Sequence, residues 1–165
     1  REVLNLFAYT GAATVHAAAG GASATLTVDL SNTYLDWARR NLELNGLAGP
    51  RHVLERADCL EWVQRPVSER FDLAFVDPPT FSNSKAMPRE FDVQRDHVGL
   101  IRAVLARLAP GGLLVFSTNH RRFRFDTAAL GAVEAEDWTL ATLPRDLARR
   151  PRLRQVFAIR AAAGT

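Results

Sequence analysis

Asp77, Pro78 and Pro79 stand together at the end of the apolar run Phe71–Asp77, with Thr80 and Phe81 immediately after. Two consecutive prolines fix φ and remove backbone donors, which frees neighbouring carbonyls to face a cleft. A carboxylate just ahead of them supplies an acceptor for the N–H groups of a base. Phe81 offers a flat face for stacking, an interaction worth roughly 1–3 kcal/mol per base. Two more acids occupy comparable positions: Asp29 closes the run Ala24–Asp29, and Asp58 follows Val53–Ala57. A carboxylate in the place of Asp29, roughly 20 residues beyond the first strand-to-helix turn, can accept both hydroxyls of a ribose or cap the following helix. Asp58 is suited to accept from an adenine amino group while Cys59 packs against the ring.

These residues need a scaffold that brings strand ends together, and the pattern around them supplies one. Val3–Tyr9 reads as a buried strand, Ala12–Ala19 as a small-residue helix ended by Gly20-Gly21, and Ala24–Asp29 as a second strand. Ser31 is a suitable N-cap for a helix in which Tyr34, Leu35, Ala38 and Leu42 recur at helical spacing before Asn45-Gly46. Val53–Ala57 is a third strand, a short helix follows near Leu60–Val63, and Phe71–Asp77 is a fourth strand apolar enough to be covered on both faces. After the polar segment Pro78–Arg95, Asp96 is predicted to cap a helix carrying Leu100, Ile101, Val104, Leu105 and Leu108, stopped by Pro110-Gly111-Gly112; Leu113–Ser117 is a fifth strand. A helix over Asp126–Val133 and strands near Trp138–Leu143 and Gln155–Arg160 complete the prediction. Such alternation predicts an α/β domain with a doubly wound, mostly parallel sheet, whose ligands sit at the carboxyl ends of the strands.

The turn Phe7-Ala8-Tyr9-Thr10-Gly11-Ala12 lies where a ligand would meet the first strand, and Gly11 is predicted to let backbone approach it closely. Tyr9 stands where the first glycine of a dinucleotide fingerprint would be, which disfavours a dehydrogenase. Methylation of cytosine C5 needs a cysteine nucleophile after the fourth or fifth strand, but Thr80 and Thr118 occupy those loops and the lone thiol, Cys59, follows the third. The histidines at 16, 52, 97 and 120 show no metal-ligand spacing and read as structural or surface groups; no metal is expected.

The chain has 165 residues, 47% of them apolar, enough for one domain with one core. No apolar run reaches the roughly 20 residues that span a bilayer, and a single cysteine agrees with a cytoplasmic location. The opening Arg1-Glu2-Val3-Leu4 runs straight into a strand, as expected of a fragment of a longer protein. The net charge of +3 is uneven: residues 1–84 carry 7 Lys and Arg against 10 Asp and Glu, whereas residues 85–165 carry 14 against 8. Arginine suits bidentate phosphate contact, although an ordinary solvated face accounts for the charge equally well. The 18-residue segment Pro78–Arg95 is long for a connection in a compact domain, a feature that usually accompanies function. Lys85, Arg89 and Arg95 within it, and Arg121, Arg122 and Arg124 on the next loop, are the candidate phosphate contacts; Arg95-Asp96 is alternatively a capping pair. Arg149, Arg150, Arg152 and Arg154 either extend that track or are solvated.

Taken together, these features resemble the Rossmann-like, adenosylmethionine-dependent methyltransferases that act on ring or amino nitrogens of bases. Three stretches, Leu4–Gly11, Asp77-Pro78-Pro79-Thr80-Phe81-Ser82-Asn83-Ser84-Lys85 and Phe91–His97, resemble the C-terminal half of the bifunctional 23S rRNA methyltransferase family RlmKL, over essentially the whole chain. The resemblance implies a seven-stranded sheet and S-adenosyl-L-methionine as cofactor. It implies that Asn5, Phe7, Tyr9, Thr10 and Gly11, then Asp29, Leu30 and Ser31, then Asp58, Cys59 and Asp77 hold that cofactor. Asp77, Pro78 and Pro79 would be the catalytic motif, with Phe81 in place of the usual adjacent aromatic, one residue late. The implied substrate is 23S ribosomal RNA, methylated on guanine N7, and an N-terminal methyltransferase half is expected in the full-length protein. N7 carries a free lone pair and loses no proton, so Asp77 is cast as a positioning acceptor for guanine N1–H and N2–H. The same acceptor would align an exocyclic amine, so methylation of N2 stays open. An RNA-binding module that keeps the fold without turnover is the reading from another class.

Overall fold

The structure is a computed structural model that describes residues 1–82, 90–144 and 153–162. Seven strands form one sheet in the order β3-β2-β1-β4-β7-β9-β8. These are β1 (Glu2–Leu6), β2 (Ala24–Asp29), β3 (His52–Arg56), β4 (Phe71–Val76), β7 (Leu108–Thr118), β8 (Val133–Asp137) and β9 (Gln155–Ala161). A separate two-stranded ladder pairs β5 (Phe81–Ser82) with β6 (Phe91–Asp92). The first five strands of the sheet run parallel, while β9 is antiparallel to both β7 and β8. Strand order reverses between β1 and β4, so a crevice opens at their carboxyl ends, where the predicted chemistry lies.

Strand alternation divides β1 between two environments. Leu4 and Leu6 are fully buried in a cluster with Val28, Ala74, Leu114, Ile101 and Val104. Asn5, between them, is buried on the other side, where its Nδ2 donates to Thr14 Oγ1 of α1 (Ala12–Ala19) at 2.9 Å. Helix α2 (Asn32–Leu44) buries Leu35, Ala38 and Leu42 and is capped by Ser31 Oγ, which accepts from the Tyr34 N–H, as its sequence requires. The ladder between β4 and β7 is interrupted. Phe71 pairs with Leu108 but Leu73 pairs with Leu113, so residues 109–112 of β7 stand against Asp72 alone, three more than the ladder needs.

Several boundaries differ from the sequence-based expectation. β1 stops at Leu6 because Phe7 and Tyr9 take left-handed φ values of 55° and 51°, which no strand accommodates. Helix α4 (Val93–Leu105) starts earlier than predicted. Asp92, and not Asp96, is its cap, accepting from the Gln94 and Arg95 N–H groups, while Asp96 Oδ2 accepts from the Asp92 N–H. Leu108 and Pro110-Gly111-Gly112 belong to β7. The predicted helix over Asp126–Val133 is a single turn, α5 (Thr127–Leu130), and Val133 opens β8. Trp138–Leu143 is no strand: Thr139–Thr142 form the helical turn α6, begun where Asp137 Oδ1 accepts the Thr139 N–H. Among the described residues no helix is long and apolar enough to cross a membrane.

Candidate active site

The turn after β1 is built from three left-handed residues, Phe7, Tyr9 and Gly11. Such backbone persists in non-glycine residues only where the surroundings over-determine it. Here each step is held by a hydrogen bond. The Phe7 N–H donates to Cys59 Sγ at 3.3 Å, the Tyr9 N–H to Asp29 Oδ2 at 3.0 Å, and the Gly11 N–H returns to the Ala8 carbonyl at 2.8 Å. Gly11 combines φ 72° with a close approach of helix α2: a Cβ there would lie 2.5 Å from Ala38 Cβ. The glycine thereby lets the turn close onto α2.

Asp29, Asp58 and Asp77 line one cleft of about 670 Å³ at the carboxyl edge of the sheet, together with Phe7, Tyr9 and Cys59. Each acid is held differently. Asp29 is buried and accepts the Tyr9 N–H on one oxygen and the Ser31 N–H, at 2.9 Å, on the other. Asp58 caps the short helix α3 (Cys59–Trp62), its Oδ1 accepting the Leu60 N–H at 2.8 Å. Its other oxygen is buried without a protein partner, which costs free energy unless a donor enters the cleft. Asp77, just past β4, accepts on Oδ2 from Arg154 Nη2 at 2.6 Å, and Arg154 Nε donates to Ser117 Oγ at 2.6 Å.

Cys59 is hydrogen-bonded twice, accepting from Phe7 and donating to the Val28 carbonyl. Burial, above all, pushes its thiol far above the ordinary cysteine range, so it is no nucleophile at neutral pH. His97 is buried between Val93 and Gln94 carbonyls at Nδ1 and the Asp126 N–H at Nε2, a structural role as expected. Among the described residues no cluster of His, Cys, Asp or Glu is arranged to hold a metal ion.

The cleft takes in Phe7, Tyr9, Asp29, Leu30, Ser31, Asp58, Cys59, Asp77, Pro78 and Pro79 from the expected set. It does not take in Asn5, whose amide is engaged with Thr14, nor Thr10 and Gly11. Thr10 sits behind the lining, where its carbonyl accepts from Asn41 Nδ2. Phe81 is half exposed and is not part of the lining, whereas Thr80 and Ser82 on either side of it are; alternation along the chain turns the ring away. Arg95 is paired with Asp96 and donates to the Glu90 carbonyl, which favours the capping reading, and it borders a second cavity that meets the first at Asp58. Arg121, Arg122 and Arg124 are exposed on the segment after β7. Lys85, Arg89, Arg149, Arg150 and Arg152 lie outside the described residues. Arg154, partly exposed, is bound to Asp77.

Sequence reasoning missed Tyr34, Arg56, Asn119 and Arg154. Tyr34 looked like part of the apolar stripe of α2, yet it is partly exposed and meets Tyr9 edge-on at 4.6 Å at the cleft. Arg56 precedes Ala57-Asp58 and its Nε donates to the Leu30 carbonyl, so its position one step before a strand tip was the available signal. Nothing local in the sequence points from Arg154 to Asp77.

The profile of the S-adenosylmethionine-dependent methyltransferase family matches residues 1–140. The chain is 57% identical over 160 residues to the "Ribosomal RNA large subunit methyltransferase K/L" of Allochromatium vinosum and 54% identical over 161 residues to that of Methylococcus capsulatus. Each alignment covers 96% of this chain, which spans only 22% of either relative's length. Among solved structures, SMU.776 complexed with SAH is 30% identical with a TM-score of 0.79, over 96% of this chain and 44% of that one. A SAM-dependent methyltransferase from Agrobacterium tumefaciens, 23% identical with a TM-score of 0.77 over 98% of this chain and 56% of its own, shares the fold.

Proposed function

The chain belongs to the S-adenosylmethionine-dependent methyltransferase family, and on that premise we propose that it methylates a guanine base of 23S ribosomal RNA, at N7, as the C-terminal half of a bifunctional enzyme. The observation that carries this reading is the convergence of Asp29, Asp58 and Asp77 on one cleft. The similarity to large-subunit ribosomal RNA methyltransferases supplies the substrate class.

The residues fit the family's cofactor. Asp58 Oδ2 is a buried acceptor in want of a donor, which an adenine amino group provides. Asp29 has both oxygens fixed by backbone N–H groups and retains lone pairs for ribose hydroxyls. Phe7, Leu30 and Cys59 supply apolar surface to the same cleft. When bound, adenosylmethionine supplies an activated methyl group on a sulfonium.

Asp77 then accepts from the guanine Watson–Crick edge and holds the base, while Pro78 and Pro79 keep the strand exit rigid. No residue is required to remove a proton, because N7 attacks with a free lone pair. Arg154 already occupies one oxygen of Asp77, an arrangement suited to positioning and poorly suited to deprotonating an exocyclic amine. Arg121, Arg122 and Arg124, exposed beyond the end of β7, are assigned to RNA phosphates. The preceding half of the full-length protein would supply further RNA contacts.

Mass spectrometry of ribosomal RNA nucleosides from a strain lacking the gene tests the proposal. Loss of 7-methylguanosine, restored by the wild-type gene and not by Asp77→Ala, is the expected result. Loss of N2-methylguanosine with 7-methylguanosine intact would transfer the assignment to the exocyclic amine. An unchanged nucleoside profile would remove the proposal.

A further inference from the structure

Asp77, Ser117 and Arg154 come from three adjacent strands. Asp77 follows β4, Ser117 lies near the end of β7, and Arg154 immediately precedes β9. Because β9 runs antiparallel, with Gln155 opposite Thr118, its beginning meets the same sheet edge as the ends of β4 and β7. Ser117 Oγ fixes one side of the guanidinium through Nε, and Asp77 Oδ2 takes Nη2. Among the described residues, neither Arg154 Nη1 nor Asp77 Oδ1 has a protein hydrogen bond. Both side chains remain partly exposed, at 42% and 27%. Ion pairs this open to solvent contribute little to stability, so fold maintenance is a weak reason for such an arrangement. What it presents is a partly exposed guanidinium with Nη1 unused, bound to an acid, Asp77, that lines the cleft.

We propose that Arg154 and Asp77 read the base together, Arg154 donating to a ring carbonyl oxygen and Asp77 accepting from the neighbouring ring N–H. This rests on the guanine reading above and names the residue that enforces it. Guanine offers O6 beside N1–H, and uracil offers O4 beside N3–H. Adenine and cytosine set an amino group against the guanidinium and an unprotonated nitrogen against the carboxylate, so two donors and two acceptors face each other unpaired. A site that hydrogen-bonds its substrate's polar edge rejects such analogues strongly, because its own groups are left unsatisfied. Of the two bases admitted, only guanine has a ring nitrogen with a free lone pair, N7, away from the edge being read. Recognition by this pair thus leaves the nucleophile uncovered.

The test uses the full-length protein and ribosomal RNA transcripts made with guanosine or with 6-thioguanosine, whose sulfur is a poorer acceptor while N1–H is retained. Single-turnover methyl transfer is measured for wild type and Arg154→Ala, with cofactor affinity by calorimetry reporting that the site is folded. Wild type is expected to lose roughly tenfold in rate on the thio transcript, the scale of one charge-assisted hydrogen bond. Arg154→Ala is expected to lose roughly tenfold on the guanosine transcript, to treat both transcripts alike within about twofold, and to keep cofactor affinity within about twofold. The same thio penalty in Arg154→Ala as in wild type, or wild-type transfer by Arg154→Ala, overturns the inference. If Arg154→Ala fails to bind cofactor, Arg154→Lys carries the comparison, and an undiminished thio penalty there overturns it as well. A wild-type protein that modifies no guanine overturns the underlying reading and this inference with it, whereas normal wild-type transfer with uncoupled penalties overturns this inference alone.

Discussion

The two ends of the cleft are made in opposite ways. At the end formed by β1, β2 and β3, the acids are buried and bound by backbone close by: Asp29 by the N–H of Ser31 and of Tyr9, Asp58 by the N–H of Leu60. At the end formed by β4, β7 and β9, the acid is partly exposed and is bound by a side chain 77 residues away. The first end has its geometry set before any ligand arrives, as suits an invariant small molecule. The second keeps unpaired hydrogen-bonding atoms facing solvent, as suits a base that must be accepted or refused. Backbone-held and side-chain-held acids thus stand on different strands of one sheet.

The largest effect that would test this division is at Asp77. Asp77→Ala is expected to reduce methyl transfer by roughly 10²-fold or more, as misplacement of a reacting group commonly does, with calorimetric cofactor affinity changed less than about twofold; a parallel loss of cofactor affinity would show that the ends are not separable. Asp29→Ala should do the reverse. It removes the partner of two backbone N–H groups, each worth about 1–3 kcal/mol when buried and unsatisfied, so urea unfolding should show a loss of about 2–4 kcal/mol and cofactor affinity should fall at least tenfold. Gly11→Ala, which forces a Cβ to within 2.5 Å of Ala38 Cβ at φ 72°, is expected to destabilise by about 2 kcal/mol. Ala38→Gly in the same chain should recover part of that loss, since only the steric component is relieved.

Smaller effects belong to the periphery. Replacing Arg121, Arg122 and Arg124 together by Ala should leave cofactor affinity unchanged and lower the salt dependence of RNA binding, by up to about one unit of slope for each phosphate no longer neutralised. The thiol of Cys59 should give the least signal. Burial raises its pKa, so the thiolate stays scarce from about pH 7 to pH 9, and a disulfide reagent should label the native protein negligibly and the urea-unfolded protein fully.

The same division explains what could be read from the sequence. Asp29 and Asp58 sit at the ends of apolar runs and each accepts from the N–H two positions on, so a strand boundary was enough to find them. The mostly parallel sheet and the crevice at its carboxyl edge followed from the alternation of strands and helices. The pairing of Arg154 with Asp77 was invisible because the two are brought together only by the antiparallel run of β9. Phe81 lies outside the lining for a local reason: the chain re-enters a short ladder with Phe91–Asp92 there. Asp96 was taken for the helix cap because a carboxylate at either 92 or 96 satisfies the pattern, and the winner is the one whose oxygen reaches two N–H groups.

The reversed direction of β9 also sets a chronology. The ribosome delivers β1, β2 and β3 first, and segments of a domain can order as they emerge. The grip around Asp29 and Asp58 is therefore encoded early in the chain, whereas Arg154 arrives near the end of the described residues. A nascent polypeptide holding the first strands alone has no Arg154 to meet Asp77, so the contact between them forms only once the start of β9 has been made.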